Sequence, residues 1–125
     1  MVVCELEIEG QWGLALILDK GSTDSLPELG AQSVVSTRSS ILISVVHPQE
    51  ATARVAISLD DGEREAHLVY SGELRIRSGT LVLCTADGSR SVTATLEPGV
   101  YRYDVYADAL VQPQRVSVIA TRQLA

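Results

Sequence analysis

Phenylalanine is absent from this 125-residue chain, lysine and tryptophan occur once each, and there are only two cysteines and two histidines. Each scarcity excludes something. Without phenylalanine a core must take its volume from Leu, Ile and Val, with Trp12 and four tyrosines as the large pieces, and a buried tyrosine wants a partner for its hydroxyl. With Lys20 as the only lysine, no G-x-x-x-x-G-K-[ST] phosphate loop exists, and G-x-G-x-x-G is missing too. His47 and His67 have no second histidine or cysteine at ligand spacing, so neither a metal nor another cofactor is expected. No G-x-S-x-G elbow precedes a helix, and a non-enzymatic protein is expected.

Cys4 and Cys84 lie far apart and outside any C-x-x-C pair, which predicts buried free thiols rather than a disulfide. No apolar run approaches the roughly 18 residues of a membrane span. Met1 leads straight into a strand-like pattern with no basic and apolar leader regions, and a cytoplasmic protein is expected.

Net charge is −6 and the pI about 4.8, which argues against nucleic-acid binding through a basic surface. The excess is confined to residues 1–62, with nine acidic side chains against three basic ones; the remainder carries seven of each.

What the chain does have is period-two alternation. Val2, Cys4, Leu6 and Ile8 face one way and Val3, Glu5, Glu7 and Glu9 the other, the pattern of a half-buried strand. Residues 14–18 are apolar on both faces and read as a short buried strand; residues 40–47 read as a central one ended by His47-Pro48. Residues 52–59 alternate again, and Asp60-Asp61-Gly62 reads as a hairpin turn rather than a calcium loop, lacking the D-x-D-x-D-G ligand spacing. Residues 66–70 form the next strand, Ser71-Gly72 and Ser78-Gly79 read as turns, and Asp87-Gly88 joins a hairpin between residues 80–86 and 90–96. Pro98-Gly99 then opens a strand with Tyr101, Tyr103, Val105 and Ala107 on its inner face. Residues 115–121 supply a last strand. Residues 21–32 show no periodicity and read as a long loop.

Nine to ten short strands in one domain, 1–125, with no confident long helix give an all-β fold: a single-domain antiparallel β-sandwich, jelly-roll-like, with a closed barrel as the alternative. Glu5, Glu7 and Glu9 then stack on one strand face. Such a strip either keeps a solvated edge from pairing with other chains or steers a basic partner. Arg75 and Arg77 are placed to face it across a sheet, which would make it structural. Asp60, Asp61 and Glu63 add further acidic positions, and Trp12 between two glycines is either core or a partner anchor.

The segment 79–107 resembles small bacterial β-sandwich proteins of the competence protein J type. The resemblance lies in Ser78-Gly79-Thr80-Leu81-Val82-Leu83, the Asp87-Gly88 hairpin, and Leu96-Glu97-Pro98-Gly99-Val100-Tyr101 with its apolar-x-Pro-Gly-x-Tyr strand start. It implies inhibition of a partner nuclease, a task that suits carboxylates able to occupy a site built for phosphates. The expected function is therefore a non-catalytic acidic module that binds a protein with a basic surface. The expected contacts are Glu5, Glu7, Glu9, Asp60, Asp61, Glu63 and Trp12. Two alternatives are a structural homo-oligomer and a sandwich or barrel holding a small ligand.

Overall fold

The computed structural model describes residues 2–8, 13–22, 32–45, 52–85, 88–111 and 113–123, and the regular structure among them is entirely β. In chain order the strands are β1 (Val2–Ile8), β2 (Leu14–Asp19), β3 (Val34–Ser36), β4 (Ser40–Ser44), β5 (Ala53–Leu59), β6 (His67–Ile76), β7 (Thr80–Thr85), β8 (Ser91–Thr95), β9 (Gly99–Ala107) and β10 (Arg115–Arg122). They form two five-stranded sheets, ordered β1-β5-β10-β9-β6 and β3-β4-β2-β7-β8, hereafter sheets A and B. The chain is a β-sandwich, not a closed barrel. Every neighbour pair is antiparallel except β5 and β10, which run parallel.

Alternation decides which side chains enter the space between the sheets. Leu6 and Ile8 from β1, Val55 and Ile57 from β5, and Val116 and Val118 from β10 meet Ile17, Ile41, Ile43, Leu81 and Leu83 of sheet B in one core. β-branched residues dominate because they suit a pleated, packed surface. Tyr101 and Tyr103 point inward, as the alternation requires, and are 3% and 2% exposed. Tyr101 satisfies its hydroxyl by donating to the Glu97 carbonyl at 2.7 Å. Sheet B is apolar on its outer side as well: Leu16 has Leu42 and Cys84 as register partners, with Val35 beyond Leu42. That explains the unbroken apolar run of β2.

Two expected turns are not turns. Ser71-Gly72 lies inside β6, a ten-residue strand that pairs with β9 with one register shift between Leu68 and Tyr70. Gly72 serves packing there, since a Cβ would lie 2.8 Å from the Tyr103 hydroxyl oxygen. Asp60-Asp61-Gly62 makes no hairpin either: β5 and β6 are separated by β10 and β9 and run in the same direction, so residues 60–66 form a crossover. β3, only three residues long, escapes the sequence pattern. The expected hairpin between β7 and β8 is present, with Gly88 at φ 74°. Most of the loop at 21–32, His47 and Asp87 lie outside the described residues.

The sheets are joined at their edges. The Arg75 N–H, on the free side of edge strand β6, donates to the Arg38 carbonyl at 2.7 Å, and the Ser36 and Tyr70 hydroxyls bond at 2.8 Å. Asp19, 3% exposed, ends β2 and accepts from the backbone N–H groups of Arg77 (3.1 Å) and Ser78 (3.2 Å) and from the Ser78 hydroxyl. Burial pushes its carboxyl up, but these bonds outweigh that and hold its pKa below the usual carboxylate value.

Both cysteines are buried, and no disulfide joins them. Burial pushes the Cys4 thiol up to about 11. It also raises Tyr103 to about 12. Above the unfolded pKa values, roughly 9 and 10, the native chain keeps protons that the unfolded chain has lost. Stability is therefore fully present below about pH 9 and falls as pH rises toward 11 to 12, by about 1.4 kcal/mol per pH unit for each group in its window. Urea midpoints should be level from pH 7 to 8.5 and drop at pH 10.5. Cys4→Ala should reduce that drop, and an unchanged pH profile in this variant would refute the assignment.

Candidate functional site

The outer face of sheet A is polar, and residues 60–66 lie across it. The segment leaves β5 at Asp60, whose φ of 63° turns the chain while its N–H donates to the Ala120 carbonyl at 2.8 Å. An aspartate tolerates this left-handed conformation better than most residues. Gly62 then presses onto the sheet, where a Cβ would sit 2.6 Å from Ser58. This close approach buries Ser58 and Ile119 on the outward side. Further along, the Arg64 guanidinium stands 5.6 Å from the Tyr106 ring centroid, and Glu65 forms an ion pair with Arg115 at 3.2 Å. The strap thus crosses β10 and β9 before β6 begins.

Its carboxylates meet those of edge strand β1. Glu5, Glu63 and Glu65 line one groove of about 130 Å³ with Arg54 and Arg115, and Glu7 lies beside it as the register partner of Arg54. Glu5 pairs with Arg54 at 2.5 Å and holds that guanidinium above its ordinary pKa, with Glu7 and Glu63 adding to the field. Both partners are well exposed, so the pair adds little stability. Glu7 and Glu63 have no ion-pair partner among the described residues. The face therefore carries more carboxylates than guanidiniums.

Arg75 and Arg77 do not face this strip, because β6 occupies the opposite edge of sheet A from β1. The actual cation opposite Glu5 and Glu7 is Arg54. Asp60 lies at the far end of β5, beside Glu97 and Arg122; Asp61 follows it at the start of the strap. Glu9 and Trp12 lie outside the described residues. Sequence patterning missed Glu65 and Arg115, which reach the site only through the crossover. Tyr106 is half-buried beneath Arg64. Among the described residues no group of three or more His, Cys, Asp or Glu side chains is placed to hold a metal, and no helix is long and apolar enough to cross a membrane.

Two solved structures share this arrangement of strands. One is ComJ from Bacillus subtilis, an inhibitor of the DNA-degrading activity of NucA, with a TM-score of 0.75 at 10% identity over 98% of this chain and 98% of that one. The chain has the ComJ fold over its whole length. The second, described as crocagin biosynthetic gene J, gives a TM-score of 0.63 at 15% identity over 99% and 98% of the two chains. No protein-family model and no curated protein matches the sequence. The likeness to ComJ is thus broader in fold than in sequence, where it is visible only over residues 79–107.

Proposed function

We propose that this chain is a non-catalytic protein-binding module that occludes a basic surface of its partner, with a nuclease as the partner class. The observation that carries the reading is the convergence of β1 and the strap, which puts Glu5, Glu7, Glu63 and Glu65 on one face. A surface evolved to hold phosphates is cationic, and fixed carboxylates compete for it while steering the encounter. The ComJ fold supports the inhibitory part of the reading. Asp60 and Asp61, at the start of the strap, and Glu9 and Trp12, which lie outside the described residues, are further proposed contacts. A bacterial cytoplasmic setting fits two buried cysteines that form no disulfide.

The test is to titrate the purified chain into NucA, and into the nuclease encoded nearest its own gene, while following DNA degradation at increasing NaCl. Stoichiometric inhibition that weakens several-fold between about 50 and 300 mM salt is expected, because screening shortens the reach of exposed charges. Inhibition indifferent to salt would remove the electrostatic mechanism, and inhibition of neither nuclease would remove the partner class.

A second reading, a homo-oligomer, is favoured by one observation. Leu68, Leu110 and Val111 are 57%, 63% and 79% exposed at the end of sheet A where edge strand β6 begins. Sedimentation distinguishes the two: a tight dimer or ring supports assembly through this end, a monomer the inhibitor. Among the described residues, the apolar gap beside Val34, Ile43 and Val105 amounts to about 10 Å³, the space of one water, which leaves no room there for an interior ligand.

A further inference from the structure

Most arginines of this acidic chain have evident partners. Arg54, Arg115 and Arg122 pair with carboxylates, Arg64 stacks on Tyr106, Arg90 donates to the Glu7 carbonyl at 3.0 Å, and Arg102 lies opposite Glu73. Arg38, Arg75 and Arg77 differ. They line one cleft of about 200 Å³ between the sheet edges, and among the described residues none has a carboxylate within ion-pair distance.

The three come from separate backbone segments locked together. Arg38 belongs to the turn between β3 and β4, and its carbonyl accepts the Arg75 N–H. Arg77 belongs to the turn after β6, which the buried Asp19 carboxylate clasps through the Arg77 and Ser78 N–H groups. The Ser22 and Ser39 hydroxyls, bonded to each other at 2.6 Å, line the same cleft. Asp19 also lines it, with its oxygens engaged by the clasp; Glu73 borders the neighbouring hollow with Arg38 and Arg75.

Three like charges held on a fixed frame repel one another, and a bound anion converts that repulsion into attraction. Guanidinium forks suit tetrahedral oxyanions, whose oxygens accept paired N–H donors, and a frame fixed beforehand lowers the ordering cost of binding. The geometry points to a phosphate site in this cleft, holding inorganic phosphate or the terminal phosphate of a small ester through Arg38, Arg75 and Arg77. It is separate from the carboxylate face and independent of the partner proposed for that face.

The test is a titration of the full chain with inorganic phosphate and with a nucleoside 5′-monophosphate. Binding is followed by ³¹P line width and by thermal midpoint, against NaCl at matched ionic strength. Saturable broadening and a midpoint rise absent in NaCl are expected. Arg75→Gln/Arg77→Gln should weaken binding at least tenfold, whereas Arg90→Gln, outside the cleft, should not change it. Arg38→Gln, in an exposed turn, gives an independent check if the double variant does not fold. Tighter binding of the monophosphate than of free phosphate identifies an ester ligand; the reverse identifies the free ion. A midpoint rise equal to that in NaCl, or unaltered affinity in the cleft variants, would overturn the site.

Discussion

Reversing three carboxylates together, Glu5→Lys, Glu7→Lys and Glu63→Lys, is expected to weaken binding of the proposed nuclease partner by roughly a hundredfold or more. Each reversal exchanges an attraction for a repulsion, worth about 1 kcal/mol in a screened, solvent-exposed setting. Most of the loss should appear in the association rate, since rim charges steer the encounter more than they hold the complex. The fold should tolerate the changes. Glu5 and Glu7 are exposed, and losing the Glu5–Arg54 pair costs under about 1 kcal/mol. Glu73→Lys, on the opposite edge strand of the same sheet, serves as the control and should leave binding unchanged. Surface plasmon resonance at two salt concentrations checks both. Equal affinity of the triple variant and the parent would remove these residues from the interface.

The largest expected effect on stability comes from Gly72. Alanine in place of glycine inside a strand should ordinarily help, by roughly 0.5 to 1 kcal/mol. Here the added Cβ would lie 2.8 Å from the Tyr103 oxygen, 3.1 Å from its Cζ and 3.3 Å from Tyr70 Cε2. Neither ring can retreat easily, because the two are stacked at 6.1 Å and Tyr103 is buried against the core. Overpacking therefore outweighs backbone entropy. We expect Gly72→Ala to cost about 1 to 3 kcal/mol and Gly72→Val on the order of 4 kcal/mol.

A double-mutant cycle identifies the cause. Among the described residues the buried Tyr103 hydroxyl has no hydrogen-bond partner, so Tyr103→Phe alone should be neutral or stabilising by up to about 1 kcal/mol. The same change removes the atom nearest the new Cβ, so it should recover part of the Gly72→Ala loss. Urea denaturation of the four proteins measures the coupling. Strict additivity would mean that Gly72 is needed for some reason other than the Tyr103 hydroxyl.

These residues also show what the sequence could disclose. The faces of β1 and β9 follow from alternation, because one face of each meets the core. The hairpin between β7 and β8 follows from its turn residues. Ser71-Gly72 looks like a turn for the same chemical reason that Ser78-Gly79 is one; only the ring arriving from β9 explains a glycine within a strand. The crossover at residues 60–66 was hidden because Asp-Asp-Gly suits any sharp change of direction, and strand order is set by long-range pairing. The parallel pairing of β5 and β10 has the same origin.

The proposed binding face was legible in the same measure. Glu5 and Glu7 share a face by period two. The arrival of Glu63 and Glu65 beside them depends on the strap, and the pairing of Glu5 with Arg54 depends on β5 lying next to β1. Arg75 and Arg77 were expected to oppose the glutamates. They lie at the other edge, with Arg38, because β6 rather than β5 closes that side of the sheet.

Carboxyl footprinting tests the central claim most directly. Labelling the chain with carbodiimide and an amine, free and saturated with the proposed nuclease partner, reports on each carboxylate by mass spectrometry. We predict at least fivefold protection of Glu5, Glu7 and Glu63 in the complex, with Glu73 and Glu97 labelled as in the free chain. Unchanged labelling of the three, with protection elsewhere, would contradict the assignment of this face as the binding surface.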